Sequence, residues 1–320
     1  MQLTKKWGEL ISNCDEAYFF HTPLWAKIME KTYNFSDYTQ FYEVNGKKIL
    51  VPLMRKKKYE FNLLSSMPFG YGGFFSKSAI FSYDVKNLVN QIIRGRNIIL
   101  NFTMPPLSNL PLDFEDSSII EVKDSWNYAH ILPLKKGFDY IRKNKYNRRA
   151  RRSIKKAVNN DVEIRKGDSL DDFEDYYHVY SKSAEEKWGY ETPPDPLELY
   201  KNMYKYGSNH VDIYLAQKDG ETIAGYITLN YGKNIFMYGG AFLSKYGSLQ
   251  PSSMLYDHII EIGCNEGYDY LNMGASGDLS GVMKFKENFG PDIIKTDNFR
   301  AYSMIGRLGM KFYERIKCLI

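Results

Sequence analysis

VDIYLAQKDGETIAGYITLNYGKNIFMYGGAF, Val211 to Phe242, reads as three strands joined by two tight turns. Val211–Gln217, Glu221–Tyr231 and Asn234–Phe242 are dense in β-branched and aromatic residues, and Asp219-Gly220 and Gly232-Lys233 are turn dipeptides, so the stretch predicts an antiparallel meander. Upstream lie a strand at Val162–Arg165, a helix from Leu170 to about Lys187 and a second helix at Pro196–Tyr206. Downstream come a helix at Ser252–Asn265 and a strand at Tyr268–Met273. The pattern is α/β (α+β) with mixed sheets.

That last strand opens the stretch YDYLNMGASGDLSGVMKFKENFGP, Tyr268 to Pro291. Gly274 to Gly281 supplies three glycines, two serines and an acid, which is loop chemistry. Met283, Phe285 and Phe289 are then candidates for burial, with Lys284 and Lys286 flanking Phe285. A strand that ends in a small-residue turn is a common place for chemistry in open sheets. The plain alternative is a surface loop followed by a turn whose lysines sit in water.

The first half is less regular. Phe20–Tyr33 predicts a helix, with Thr22 as N-cap and Pro23 at the first helical position. Strands are expected at Thr39–Val44, Lys48–Met54 and Phe61–Ser65, the first two joined through Asn45-Gly46. Asp84–Ile93 predicts a helix, Asn97–Phe102 a strand, Pro105–Asp116 a loop and Asn127–Leu132 a strand that closes this region.

Charge is unevenly spread. The 320-residue chain has a net charge of +5, yet Lys135 to Lys156 carries eleven basic residues and one acid, Asp139, so the remainder is mildly acidic. Phe138, Ile141, Ala150, Ile154, Ala157 and Val158 recur at helical spacing, so this segment predicts a largely helical element with its arginines off the apolar stripe. Such a segment suits an anionic partner: nucleic acid, a phosphorylated ligand or a membrane surface. Charge runs also occur as plain solvated faces.

Other classes are disfavoured. Cys14, Cys264 and Cys318 have no disulfide or zinc spacing, and His21, His130, His178, His210 and His258 show no metal pattern, so no metal is expected and the histidines read as structural or surface. No apolar window of transmembrane length and no leader pattern occurs, which predicts a soluble, cytoplasmic protein. The length predicts two domains.

The element order from Val162 to Met273 is that of the GNAT acyltransferase fold, and the first half reads as a rougher version of it. The chain resembles the FemABX family, the aminoacyl-tRNA-dependent peptidyltransferases that add amino acids to peptidoglycan precursors, together with its GNAT-like relatives. The residues that carry the resemblance are FHTPLWAKIMEK, NRRARRSIKKAVNNDVEI, AQKDGETIAGYITLNYGKNIFMYGGAF and YDYLNMGASGDLSGVMKFKENFG, in that order along nearly the whole chain. The resemblance implies two GNAT-like domains, residues 1–133 and 134–297, with 298–320 returning to the first and the catalytic cleft in the second. Met304–Ile320, apolar at helical spacing, fits the returning helix.

The lysine of the family's late "FK" motif falls on Lys286, which would stabilise developing negative charge. Gly239-Gly240 stands where a bulge in the fourth strand would present backbone N–H donors to an oxyanion; two glycines easing close packing is the competing account. Substrate contacts are expected from Trp25, Tyr71, Tyr238, Ser276 and Lys284, with Tyr71 in the glycine-rich loop Met67–Phe75. Arg148, Arg149, Arg151, Arg152 and Lys155 would grip tRNA phosphates. Asp257 and Asp278 lie near the expected cleft without an assigned role. Members that hold a UDP-linked muropeptide carry a lysine where this chain has Met29 and an arginine where it has Asp212, which speaks against a nucleotide-sugar acceptor.

The implied reaction is amide formation, with aminoacyl-tRNA as co-substrate and an amine on a cell-envelope precursor or peptide as acceptor, and with no tightly bound cofactor. Peripheral membrane contact and the oligomeric state stay open. An acyl-CoA donor for N-acylation of an amino sugar or small amine is the alternative. It is weakened by LSKYGSLQPSS, Leu243–Ser253, where one glycine and Pro251 replace a glycine-rich pyrophosphate turn. A non-catalytic RNA-binding protein on a degenerate GNAT scaffold is the third reading.

Overall fold

The computed structural model describes residues 2–110, 112, 114, 117, 119–122, 128–277 and 279–309. The chain divides into two compact units, Met1–Asn127 with Lys295–Ile320, and Tyr128–Ile294.

The first unit runs α1 (Gln2–Ser12), α2 (Pro23–Thr32), β1 (Ser36–Asp37), β2 (Gln40–Val44), β3 (Lys47–Val51), β4 (Met54–Lys58), β5 (Phe61–Ser65), α3 (Ser82–Ile92), β6 (Asn97–Thr103) and β7 (Ile120–Val122). The Thr22 hydroxyl accepts from Trp25 N and Pro23 occupies the first helical turn, so α2 starts where its cap residues place it. Asn45 and Gly46, at φ 51° and 75°, make the hairpin that pairs Val44 with Lys47. The single strand expected over Lys48–Met54 is two, because Pro52 has no N–H for a ladder; β3 ends before it and β4 joins a different sheet. The unread α1 is anchored by Trp7, which is buried and donates from Nε1 to the His21 carbonyl at 2.6 Å.

The second unit runs β8 (Tyr128–Pro133), α4 (Phe138–Asn144), α5 (Arg148–Asn159), β9 (Glu163–Gly167), α6 (Leu170–Trp188), α7 (Leu197–Gly207), β10 (Val211–Lys218), β11 (Glu221–Tyr231), β12 (Asn234–Phe242), α8 (Pro251–Asn265), β13 (Tyr270–Ala275), α9 (Ser280–Glu287) and β14 (Asp292–Lys295). β15 (Asn298–Tyr302) then returns to the first unit's sheet. The meander β10–β11–β12 forms as the turn dipeptides predict. The basic segment breaks at Lys145–Asn147, where the Asn147 side chain accepts from Arg149 N and Ala150 N and starts α5 afresh. Such a cap contributes about 1 kcal/mol.

The sheet orders are β1-β4-β5-β6-β15-β7 and β14-β8-β13-β12-β11-β10-β9, with β2-β3 as a separate hairpin. The halves share a topology their letters hide. In each, an antiparallel pair (β4/β5, β11/β12) leads through a helix (α3, α8) to a strand parallel to the second member (β6, β13). The next neighbour comes from a distant part of the chain: β15 beside β6, β8 beside β13. The strand read as closing the first region therefore belongs to the second sheet, where Leu132 pairs with Leu271. Ala150, Ile154 and Ala157 of α5 and Leu255, Tyr256, Ile259 and Ile260 of α8 join one core with Tyr214, Ala224, Ile235 and Leu271. Of Met304–Ile320, residues 304–309 are helical; 310–320, with Cys318, lie outside the described residues.

Candidate active site

β12 and β13 are paired over three positions only, Asn234↔Tyr270, Ile235↔Leu271 and Phe236↔Asn272. Immediately beyond the last pair both strands bulge. In β12 the partners of Ile227 and Thr228 are Gly239 and Met237, so Tyr238 is the extra residue. In β13 the partners of Ile131 and Ala129 are Asn272 and Ala275, so Met273 and Gly274 together face His130 of β8. Bulges turn N–H and carbonyl groups out of the ladder, and here they do so where the parallel pair opens.

The two expected glycines lie beside the β12 bulge. A methyl on Gly239 would stand 3.0 Å from the Tyr176 hydroxyl oxygen, and one on Gly240 would enter the space of the Tyr226 ring. Gly225 clears the other end of the Tyr176 ring, where a methyl would lie 2.7 Å from Cδ2. Close packing and a bulge thus coexist at this position. Tyr238 is half-buried.

Gly274 sits at φ +71°, a left-handed conformation suited to glycine. Its N–H donates to Asn272 Oδ1 at 2.8 Å, and its carbonyl accepts from Lys286 Nζ at 3.2 Å. Lys286 Nζ donates a second bond, 2.9 Å, to Ala275 O. One of its three N–H donors remains for another acceptor. Lys286 is only 4 % exposed, and the neighbouring Phe285 packs against Tyr256 and Phe289. Burial lowers its pKa to about 8. The outcome is the opposite of a solvated surface lysine. Met283 is exposed where the pattern suggested burial.

Lys284 is exposed on the same helix. Ser276 is buried, and its Oγ has no partner among the described residues. The same holds for Thr228 Oγ1 at the β12 bulge and for His130 Nε2. Thr228 was not singled out in the sequence and His130 was read only as structural or surface, since neither carries a motif; strand pairing brings both to the bulges, with His130 buried. Asp257 faces Arg142 at 3.4 Å, and burial raises its pKa. Asp278 lies outside the described residues.

Trp25 and Tyr71 belong to the first unit. Trp25 is fully buried, its Nε1 donating to Pro68 O at 3.2 Å, and it packs edge-on to Phe20. Tyr71 is buried against Tyr18 and Phe20. Met29 is buried, and Asp212 pairs with Lys166 at 2.7 Å and accepts from Asn230 at 2.7 Å.

On α5, Arg148, Arg149, Arg152 and Lys155 are exposed, and the helix holds no acid. Arg151 differs: its guanidinium donates to the carbonyls of Arg142 (3.3 Å), Lys143 (2.8 Å) and Tyr146 (2.6 Å), closing the C-terminal end of α4. Before α8, Ser244 N donates to Glu186 Oε2 at 3.1 Å. Among the described residues no His/Cys/Asp/Glu group could hold a metal ion, and no helix is long and apolar enough to cross a membrane.

A meander, a bulged central strand, a parallel partner and helices on both faces define a GNAT fold, and the chain has a mixed α/β, two-domain GNAT architecture of this kind. Residues 143–287 match the acetyltransferase (GNAT) domain family. The structure is similar to that of FemX, with TM-score 0.74 and 11% identity over 94% of this chain and 96% of that one. It is also similar to the C-terminal domain of a putative lysylphosphatidylglycerol synthetase from Agrobacterium fabrum (TM-score 0.59, 12% identity, 97% and 94% covered). L-PGS from Bacillus licheniformis is similar as well (TM-score 0.56, 12% identity, 92% and 95% covered). At these identities the structural likeness shows the fold alone. No curated protein matches the chain by sequence.

Proposed function

We propose that the protein forms an amide by moving an aminoacyl group from aminoacyl-tRNA to an amine on a cell-envelope precursor or peptide, in the cytoplasm and without a tightly bound cofactor. The observation that carries the choice of donor is the contact of Glu186 with the Ser244 N–H. An acyl-CoA enzyme needs free N–H groups before this helix to hold a pyrophosphate. Here a carboxylate holds one of them, Tyr246 N and Gln250 N bond to Leu243 O and Gly247 O, Ser253 N bonds to Gln250 O, and Pro251 has none. A diphosphate placed there would meet a like charge. α5, by contrast, offers exposed cations, Arg148, Arg149, Arg152 and Lys155 among them, to a phosphate backbone.

In this reading the ester carbonyl enters where β12 and β13 part. Backbone N–H groups at the Tyr238 bulge and the remaining N–H of Lys286 stabilise the oxyanion as the amine attacks. Tyr238, Ser276 and Lys284 line the approach. The match of residues 143–287 to an acetyltransferase family is the observation in favour of acyl-CoA as donor.

The test is binding of total tRNA, charged and uncharged, across a salt series, with coenzyme A in a parallel thermal-shift assay. Salt-sensitive tRNA binding and no shift with coenzyme A are expected. A coenzyme A shift without tRNA binding overturns the reading in favour of acyl-CoA. RNA binding without turnover, unchanged by Lys286→Ala, overturns it in favour of a non-catalytic RNA binder.

A further inference from the structure

We infer that His130 is the proton acceptor of this site, its Nε2 taking the proton that the attacking amine must lose. The inference rests on the acyl-transfer reading above.

His130 lies on β8 opposite the β13 bulge, between the pairs Ala129↔Ala275 and Ile131↔Asn272. It is 1 % exposed. Its Nδ1 lies 3.4 Å from Gly274 O, the carbonyl that also accepts from Lys286. A carbonyl only accepts, so the Nδ1 of a neutral ring there carries the hydrogen, and Nε2 presents its lone pair. That Nε2 is enclosed and has no partner among the described residues. Buried acceptors are seldom left bare, and an amine N–H supplies the missing donor.

The surroundings keep the ring uncharged. Burial, and then the nearby Lys286 charge, lower the His130 pKa, outweighing the Gly274 carbonyl and the Glu287 carboxylate, which raise it. A neutral imidazole is the form that accepts a proton.

The step balances. The amine nitrogen bonds to the ester carbonyl carbon, and its proton passes to His130 Nε2. The bond from that carbon to the ribose oxygen then breaks, and the oxygen takes the proton from Nε2. The products are an amide and a free tRNA hydroxyl, with the imidazole restored. Repulsion between the transient imidazolium and Lys286 drives the second transfer.

His130→Asn keeps an N–H for Gly274 O and removes the acceptor; His130→Gln places an amide nearer the Nε2 position. The assay follows transfer from total aminoacyl-tRNA to Nα-acetyl-lysine amide from about pH 4 to 9, a window that reaches below the ordinary imidazole value of 6.5 from which His130 is lowered. Both variants are expected to lower kcat about 10²–10⁴-fold, with KM for charged tRNA and thermal melting little changed. The acid limb of the wild-type pH profile should disappear in His130→Asn. If wild type turns over and His130→Asn stays within about threefold of it, the role of His130 is overturned while the acyl-transfer reading stands. If wild type neither binds tRNA nor transfers from it, that reading falls and takes this inference with it. Nitrogen-15 NMR of histidine-labelled wild type tests the tautomer without any activity: a proton on Nδ1 and none on Nε2 at pH 7 is expected, and a proton on Nε2 overturns the proposal.

Discussion

Lys286 donates from Nζ to the Ala275 carbonyl at 2.9 Å, so a helix side chain reaches back to the last residue of the strand that precedes its loop. Lys286→Ala should remove turnover by at least about 100-fold and leave tRNA affinity intact, as separate binding and transfer assays would show. Lys286→Met should do the same in a chain that still folds, because the aliphatic stem stays buried.

The pKa of about 8 adds a pH signature to the same residue. If the ammonium stabilises the oxyanion, the rate should fall as pH rises through about 8. For stability the sign follows from proton counts: between the folded value of about 8 and the ordinary 10.5, the unfolded chain binds the proton and the folded chain does not. Stability relative to Lys286→Met should therefore rise with pH across that window. Urea melts of both proteins at pH 7.5 and 10 would test this, and parallel curves would refute it.

Arg151 and its neighbours should separate cleanly. Arg148→Glu, Arg149→Glu, Arg152→Glu and Lys155→Glu together should lower tRNA affinity steeply and flatten its salt dependence by about one unit of slope per lost phosphate contact. Thermal melting should barely move. Arg151→Ala instead removes the bonds to the Lys143 and Tyr146 carbonyls and should cost about 1–2 kcal/mol of stability, read in denaturant melts.

Gly240 and Gly225 each face an aromatic ring that a side chain would displace, Tyr226 and Tyr176 respectively. Gly225→Ala and Gly240→Ala should each destabilise by about 1–3 kcal/mol. Tyr176→Ala should relieve the Gly225→Ala cost in a double-mutant cycle. Simple additivity of the two changes would show that the ring and the glycine do not determine each other.

Asp172 gives an acid-sensitive contribution. Burial pushes its pKa up, but bonds from Arg165 and from the N–H groups of Ser169 and Asp168 outweigh that and hold it well below the usual carboxylate value. A depressed folded pKa means stability that is present at neutral pH and lost as pH falls below the ordinary 3.8 toward the folded value. Asp172→Asn should melt lower than wild type at pH 7, and the gap should close between about pH 4 and 2.

The elements that were legible in both units carry local signals. The meander follows from the Asp219-Gly220 and Gly232-Lys233 turns, α2 from Thr22 and Pro23, and the apolar stripe of α5 from Ala150, Ile154 and Ala157. Each of these depends on residues a few positions apart, where turn, cap and periodicity rules act. The resemblance singled out Lys286 through the family's FK motif, while the letters alone left it equally readable as a solvated lysine.

Only the tertiary structure decided the environment of that lysine and the partners around it. Lys286 is buried on a helix whose Phe285 packs on Tyr256 and Phe289, and its bonds go to the carbonyls of Gly274 and Ala275, beside a bulge in β13 that is defined by pairing with β8. His130 reaches the site by pairing 144 residues away from Gly274, and β15 joins the first sheet beside β6 from 199 residues away. Pairing at that range leaves no period in the letters, since the free energy that selects it comes from burial shared by the whole sheet rather than from any local preference of the strand.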